Sequence, residues 1–411
     1  MIHMDNELLH TPDGFRDLYG ASCVAQSAVQ SGMHKVMELY GFEETAPPAF
    51  EFFNVFLQGA STVSTREMFR FFDRDGNTLV LRPDFTPGIA RCAARYDAAE
   101  DLPLRLCYHG NTYVNTENYK GRPKEIPQLG AELINDRSAD ADAEMIALLI
   151  DCLKQAGLTD FRLEIGHAEF LNGLLEEAGL DEARTRRLKD LIAQKNVSGV
   201  EALLADLPMD EGIRELLIDL PMIFGDLSEM KHQASRTKNA RSVAALQSLT
   251  ELHEILSSYG ISEYLTYDLG LLSAHDYYTG IIFKAYTYGT GDALALGGRY
   301  DRLLSGFGKD APSIGFAILL DPLMSALKSQ NVSVPVPKRC LILYRAAGRA
   351  AAVEYANRLR AEGILAAVIR RSSRKGADEY LAYAKKHGFS EVICLNEDGE
   401  ASPLRPGEEG L

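Results

Sequence analysis

The sequence has no Cys-x-x-Cys pair in its 411 residues, and its six cysteines (Cys23, Cys92, Cys107, Cys152, Cys340, Cys394) are widely scattered. Zinc-ribbon and dithiol-redox readings therefore lack their spacing. The thiols read as free and mostly buried, in a reducing compartment. Basic residues are also short, with 43 Lys plus Arg against 58 Asp plus Glu, a net charge of −15. That balance argues against nucleic acid as the principal partner, because gripping a phosphate backbone demands the opposite bias. Long apolar runs are missing too. The best, IGFAILL, stops at Asp321, far short of a membrane span. The start, MIHMDNELLHTPDG, has no basic stretch leading into an apolar one, so no secretory signal is expected and the protein is expected to be cytoplasmic.

What is present suits a globular chain of two or three domains, with 46% hydrophobic and 25% charged residues, enough to bury several cores. A helical period runs from Ala21 to Tyr40 and stops at Gly41. A hairpin is expected over 68–84, turning at DRDGN, with further strands at 104–110 and 128–134. A helix follows at 139–156 and a strand at 161–167. Residues 168–260 read as a helical insertion, after which strands return at 264–272, 276–289 and 313 onward. The expected organisation is a body over 1–327, a linker over 328–337 and a small α/β domain with a parallel core over 338–411.

Four segments carry the chemistry: LRPDFTPGIAR (81–91), QLGAELI (128–134), HDYYTGIIF (275–283) and LGGRYDRLLSGFGKDAPSIGFAILLDPL (296–323). Each sets polar side chains beside glycines or a carboxylate. Taken singly, these are ordinary residue types. In this order and spacing, with YGFEETAPPAFE (40–51), they resemble histidyl-tRNA synthetase and its class II relatives over about residues 8–327. The resemblance implies an α+β fold, an antiparallel sheet flanked by helices, with the 40–51 motif building a homodimer interface.

The resemblance also implies three arginines on ATP and the ligand, and all three are replaced. Val114, Ser273 and Pro322 stand at those places, and Thr116 stands where an acid contacts adenine. Adenylation builds charge on a phosphoryl group, and losing one fixed donor costs about 3–4 kcal/mol of transition-state stabilisation. Even half of the roughly 9–12 kcal/mol additive total is about a thousandfold in rate. No amino-acid activation is expected, and no catalytic residue, cofactor or metal is assigned; His109, His167 and His232 share no ligand spacing.

The amino-acid pocket, by contrast, looks kept. Carried over by position, Asp84, Thr86 and Gln128 would face the α-ammonium of L-histidine. Glu132 and Tyr278 would face its imidazole, and Tyr300 would close the wall. Arg91 and Arg122 are the candidates for its carboxylate. A synthetase-like body without ATP chemistry is similar to the regulatory subunits of ATP phosphoribosyltransferase, the first step of histidine biosynthesis; the phrases DYYTGIIFKAY and LHTPDGFRD look like that family in particular. The resemblance implies a partnership with the short-form catalytic subunit in a hetero-oligomer (a hetero-octamer), with activation of that subunit and feedback inhibition by L-histidine. An active histidyl-tRNA synthetase, or a paralogue that aminoacylates another acceptor, remains the alternative. The 338–388 stretch, with RRSSRKG at 370–376, reads either as a solvated or interface face or as an RNA or phosphate contact.

Overall fold

The computed structural model describes residues 9–57, 63–97, 99, 101–116, 122–272, 277–334, 336–396 and 398–406. Two compact units emerge. One takes the chain up to Arg16 together with Gln30–Ser333; the other takes Asp17–Val29 and Val334–Leu411. The return of Asp17–Val29 to the C-terminal unit is not foreseen by a linear reading with one body over 1–327.

In chain order the elements up to Ser333 are α1 (Ala21–Leu39), β1 (Glu43–Glu44), β2 (Phe50–Phe52), β3 (Arg70–Phe72), β4 (Thr78–Leu81), α2 (Thr86–Tyr96), β5 (Leu104–Tyr113), β6 (Glu125–Ile134), α3 (Ala139–Gln155) and β7 (Arg162–His167). The helical block follows as α4 (Ala168–Ala178), α5 (Glu182–Ala193), α6 (Val197–Leu204), α7 (Glu211–Asp219), β8 (Phe224–Gly225), α8 (Leu227–Ala234) and α9 (Ala240–Ser258). Then come β9 (Leu265–Asp268), β10 (Ile281–Tyr286), β11 (Ala295–Arg299), β12 (Ser313–Leu319) and α10 (Leu320–Ser329).

Among the described residues, nine of these strands make one sheet in the order β1-β5-β6-β12-β11-β10-β7-β9-β8. Its centre is antiparallel, as the resemblance implies, but two joins are parallel, β1 with β5 and β7 with β9. The expected strand at 264–272 ends at Asp268. There the carboxylate accepts the Gly270 N–H at 2.8 Å and the Leu271 N–H bonds back to the Asp268 carbonyl, turning the chain out of the ladder. The small β8 pair inside the helical block carries no sequence signal, being two residues long.

Helix α3 explains the core. Ser138 caps it, accepting the Ala141 N–H at 3.2 Å, and its apolar residues from Ala141 to Leu153 are buried nearly all round. A helix this apolar must lie between layers, and it covers one face of the central strands. One buried ion pair joins it to the sheet. The Arg299 Nε donates to Asp142 Oδ1 at 2.8 Å, and its Nη atoms reach the carbonyls of Asp136 and Ser138. Burial pushes the Asp142 carboxyl up to about 6 while the Arg299 guanidinium opposes the shift.

The second unit contains β13 (Arg339–Tyr344), α11 (Arg349–Ala361), β14 (Leu365–Arg370), α12 (Ala377–Lys386), β15 (Glu391–Leu395) and β16 (Ala401–Pro403). Its sheet runs β14-β13-β15-β16, parallel through β14, β13 and β15, with β16 added antiparallel. Alternate strand residues fill two cores, one under α12 and one under α11. Among the described residues, no helix is long and apolar enough to cross a membrane.

Arg299→Ala leaves Asp142 buried and unpaired, an outcome worth about 3–5 kcal/mol. Urea unfolding of the variant should show that loss; an unchanged midpoint would mean the pair does not tie α3 to the sheet.

Candidate functional site

The site lies on the sheet face opposite α3, and side-chain alternation decides what stands there. In β6, Gln128, Gly130, Glu132 and Ile134 point to one face. Register places Glu132 beside Leu106 of β5 and Gly315 of β12, and Gly315 beside Gly298 of β11. Arg299 points to the other face, towards α3, and Tyr300 returns to the site. The arginine next to the glycine pair is thus structural.

The two glycines form a floor. A Cβ at Gly315 would sit 1.5 Å from Glu132 Oε2, and one at Gly298 would meet the Tyr278 ring at 3.0 Å. Gly130 does the same for Tyr108, whose hydroxyl would be 2.4 Å from an added Cβ. Larger residues at these places would fill the space that the polar side chains occupy.

Glu132 is the centre. Its side chain is 1% exposed, with Oε1 accepting from the Thr86 hydroxyl at 2.8 Å and Oε2 from the Tyr300 hydroxyl at 2.5 Å. Thr86 reaches it from the first residue of α2, where its own N–H is held by Asp84 Oδ1 at 3.0 Å. Burial pushes the Glu132 carboxyl up to about 8; the two hydroxyls pull it down and the Asp84 charge pushes it up. The tyrosines share that environment. Burial raises Tyr108, Tyr277, Tyr278 and Tyr300 well above their ordinary range, with Glu132 adding to each. Tyr277 packs edge-on against Tyr278 and Tyr300, at 4.9 and 5.7 Å between centroids. Tyr108 stacks on Phe85 at 4.4 Å, and Arg82 covers the far side of Phe85 at 3.8 Å.

The structure therefore brings Asp84, Thr86, Glu132, Tyr278 and Tyr300 into one electrostatic group. Gln128 is buried on the same face but four residues back along β6, about 13 Å from Glu132 at strand rise. Tyr277, Tyr108 and the glycine floor are additions. The paired tyrosines were visible in sequence, but strand register was not, and register is what aligns Gly298, Gly315 and Glu132.

At the former arginine places, Val114 is half-buried and donates its backbone N–H to the Lys124 carbonyl. Pro322 is the third residue of α10, and Ser273 lies outside the described residues. Neither Val114 nor Pro322 carries a charge. Asp321, beside Pro322, pairs with Arg16. Arg91 is no candidate for a ligand carboxylate, because the buried Glu51 holds it, with Nη2 to Oε1 at 2.7 Å and Nε on both oxygens. Arg122 is exposed. His167 caps α4, accepting the Glu169 N–H at 3.2 Å, and burial pushes its ring down to about 4. Among the described residues, no cluster of His, Cys, Asp and Glu suits a metal ion.

The folded state holds the Glu132 proton more tightly than the unfolded chain, whose ordinary value is 4.5 against about 8. Its contribution to stability is therefore full below 4.5 and declines as pH rises to about 8. Glu132→Gln removes that slope. The melting temperature of the native chain minus that of the variant should fall between those limits, and parallel profiles would overturn the assignment.

The histidyl-tRNA synthetase family model matches residues 14–323. The ATP phosphoribosyltransferase regulatory subunit of Acetivibrio thermocellus is 36% identical over 402 residues, 97% of this chain and 96% of that protein. The protein of the same name from Geobacter sulfurreducens is 34% identical over 94% of this chain and 88% of its own length. A solved structure from Bacillus halodurans, described as an ATP phosphoribosyltransferase regulatory subunit/histidyl-tRNA synthetase, superposes with a TM-score of 0.83 at 32% identity, covering 95% of this chain and 98% of that one. The histidyl-tRNA synthetase of Nostoc shares the fold, with a TM-score of 0.79 at 18% identity over 96% of both chains. The chain belongs to the ATP phosphoribosyltransferase regulatory subunit family, built on the class II histidyl-tRNA synthetase fold.

Proposed function

We propose that this chain is the non-catalytic regulatory subunit of a cytoplasmic ATP phosphoribosyltransferase, activating a short-form catalytic subunit and carrying its feedback inhibition by L-histidine. The carrying observation is a contrast between the cluster around Glu132 and the positions where the synthetase resemblance places arginines. The amino-acid end holds a buried carboxyl with two hydroxyl donors, a second carboxylate and a tyrosine wall. At those positions stand Val114 and Pro322, which carry no charge, and Asp321 already pairs with Arg16. Such a face suits a small polar ligand that must be fully hydrogen-bonded once buried, and it lacks charges to stabilise a transferring phosphoryl group.

In this reading Asp84, Thr86 and Gln128 receive the ligand ammonium, and Glu132 and Tyr278 its ring, with Tyr300 as wall. Regulation is a coupling free energy. Histidine must bind one arrangement of the assembly more tightly than another, and the difference sets the depth of inhibition. The chain is taken as a homodimer, through the 40–51 segment, within the hetero-oligomer. The basic 338–388 stretch is assigned to a solvated or interface face rather than to RNA.

Mixing the chain with a short-form catalytic subunit should give a larger species by light scattering, with raised activity that L-histidine lowers. Glu132→Ala or Tyr278→Phe should blunt the histidine effect; unchanged sensitivity would sink the pocket, and two unmixed peaks the partnership. Histidine-dependent exchange of labelled pyrophosphate into ATP should be at background for the chain alone. Exchange above background would make it a working synthetase or an aminoacylating paralogue.

A further inference from the structure

We propose that Glu132 and the imidazole of a bound histidine share a single proton, so that occupancy of the site is itself proton-linked. This inference rests on the ligand reading above. Its basis is the composition of the site. Glu132 is enclosed by Thr86 and Asp84 from α2 and its entry, Tyr108 from β5, Tyr277 and Tyr278 ahead of β10, and Tyr300 after β11. Among the described residues, the groups acting on it are hydroxyls and another carboxylate, with no cationic side chain among them. A carboxylate so placed lacks a counter-charge, and isolated buried charge is strongly disfavoured. Its two oxygens already accept one hydroxyl each. A ligand ring supplies the missing cation if the proton leaves the Glu132 oxygen for a ring nitrogen. Carboxylic acid plus neutral imidazole become carboxylate plus imidazolium, with no net gain or loss of protons.

The consequence is a sign change. Free imidazole titrates near 6.5 and the free site at about 8, so between them the two free partners together hold the one proton the complex needs. Below that window both partners are protonated and binding releases a proton. Above it neither is, and binding takes one up. Affinity is highest inside the window and falls about tenfold per pH unit outside it.

Calorimetry of L-histidine binding to the full chain, repeated in buffers of low and high ionisation heat, counts these protons. At about pH 5.5 close to one should be released, at about 7.3 none, and at about 9 close to one taken up. The ligand ammonium also titrates at the upper end, but equally for native and variant proteins. The Glu132→Gln variant should therefore keep the release and lose the uptake. Tyr300→Phe removes a donor that pulls the Glu132 carboxyl down, and should move the uptake limb to higher pH. A native proton count that is flat with pH, while histidine binds, overturns the shared proton and leaves the ligand reading standing. No binding of histidine at any of these pH values overturns both.

Discussion

The burial of one carboxyl organises this half of the molecule. Glu132 projects from near the end of β6 into space that exists only because Gly315, its neighbour on β12, has no side chain. A group taken this far from water needs its lone pairs satisfied, and the chain answers from two directions. Thr86 arrives on the first turn of α2 and Tyr300 at the exit of β11, segments more than two hundred residues apart in sequence. The apolar packing of α2 against Tyr108, Ile134, Leu303 and Leu304 holds both donors in place. The same packing keeps water out and raises the carboxyl's affinity for a proton.

The two faces of the sheet differ in how their buried charges are met. On the α3 side, Arg299 and Asp142 form a fully enclosed pair whose remaining donors are met by backbone carbonyls. That pair is compensated within the chain. On the other side the balance is left open: among the described residues, carboxylates and phenols gather with no cation against Glu132. Tyr300 differs from Arg299 by one position, and strand pleating alone sends the two to opposite faces. Such neighbours read almost alike in a sequence.

The positions where the synthetase resemblance places arginines hold no fixed cation. Val114 donates its backbone N–H to the Lys124 carbonyl and Pro322 carries no charge, Arg16 pairs with Asp321, and Arg91 is committed to Glu51. Electrostatic stabilisation of a phosphoryl group requires donors that are fixed and unspent. The arginines that remain nearby do local structural work, Arg82 included, which donates to the carbonyls of Pro47 and Asn111 while stacking on Phe85.

Sequence alone determined much of the helix and strand order, the polar residues that gather near Glu132, and the absence of arginine at three motif positions. These are local properties: periodicity, turn chemistry and residue identity survive without coordinates. It also named the family, because five motifs keep their order and spacing. Only the tertiary structure decided which of those residues meet. Register across β6, β12 and β11 set Glu132 over Gly315 and beside Gly298, and register depends on long-range pairing that no window of sequence contains. The same holds for Arg91, whose partner Glu51 lies forty residues away, and for the end of β9, cut short by one aspartate turning back on its own backbone. The protonation of Glu132 is likewise a product of enclosure, since a carboxyl's charge answers to its surroundings and not to its place in the chain.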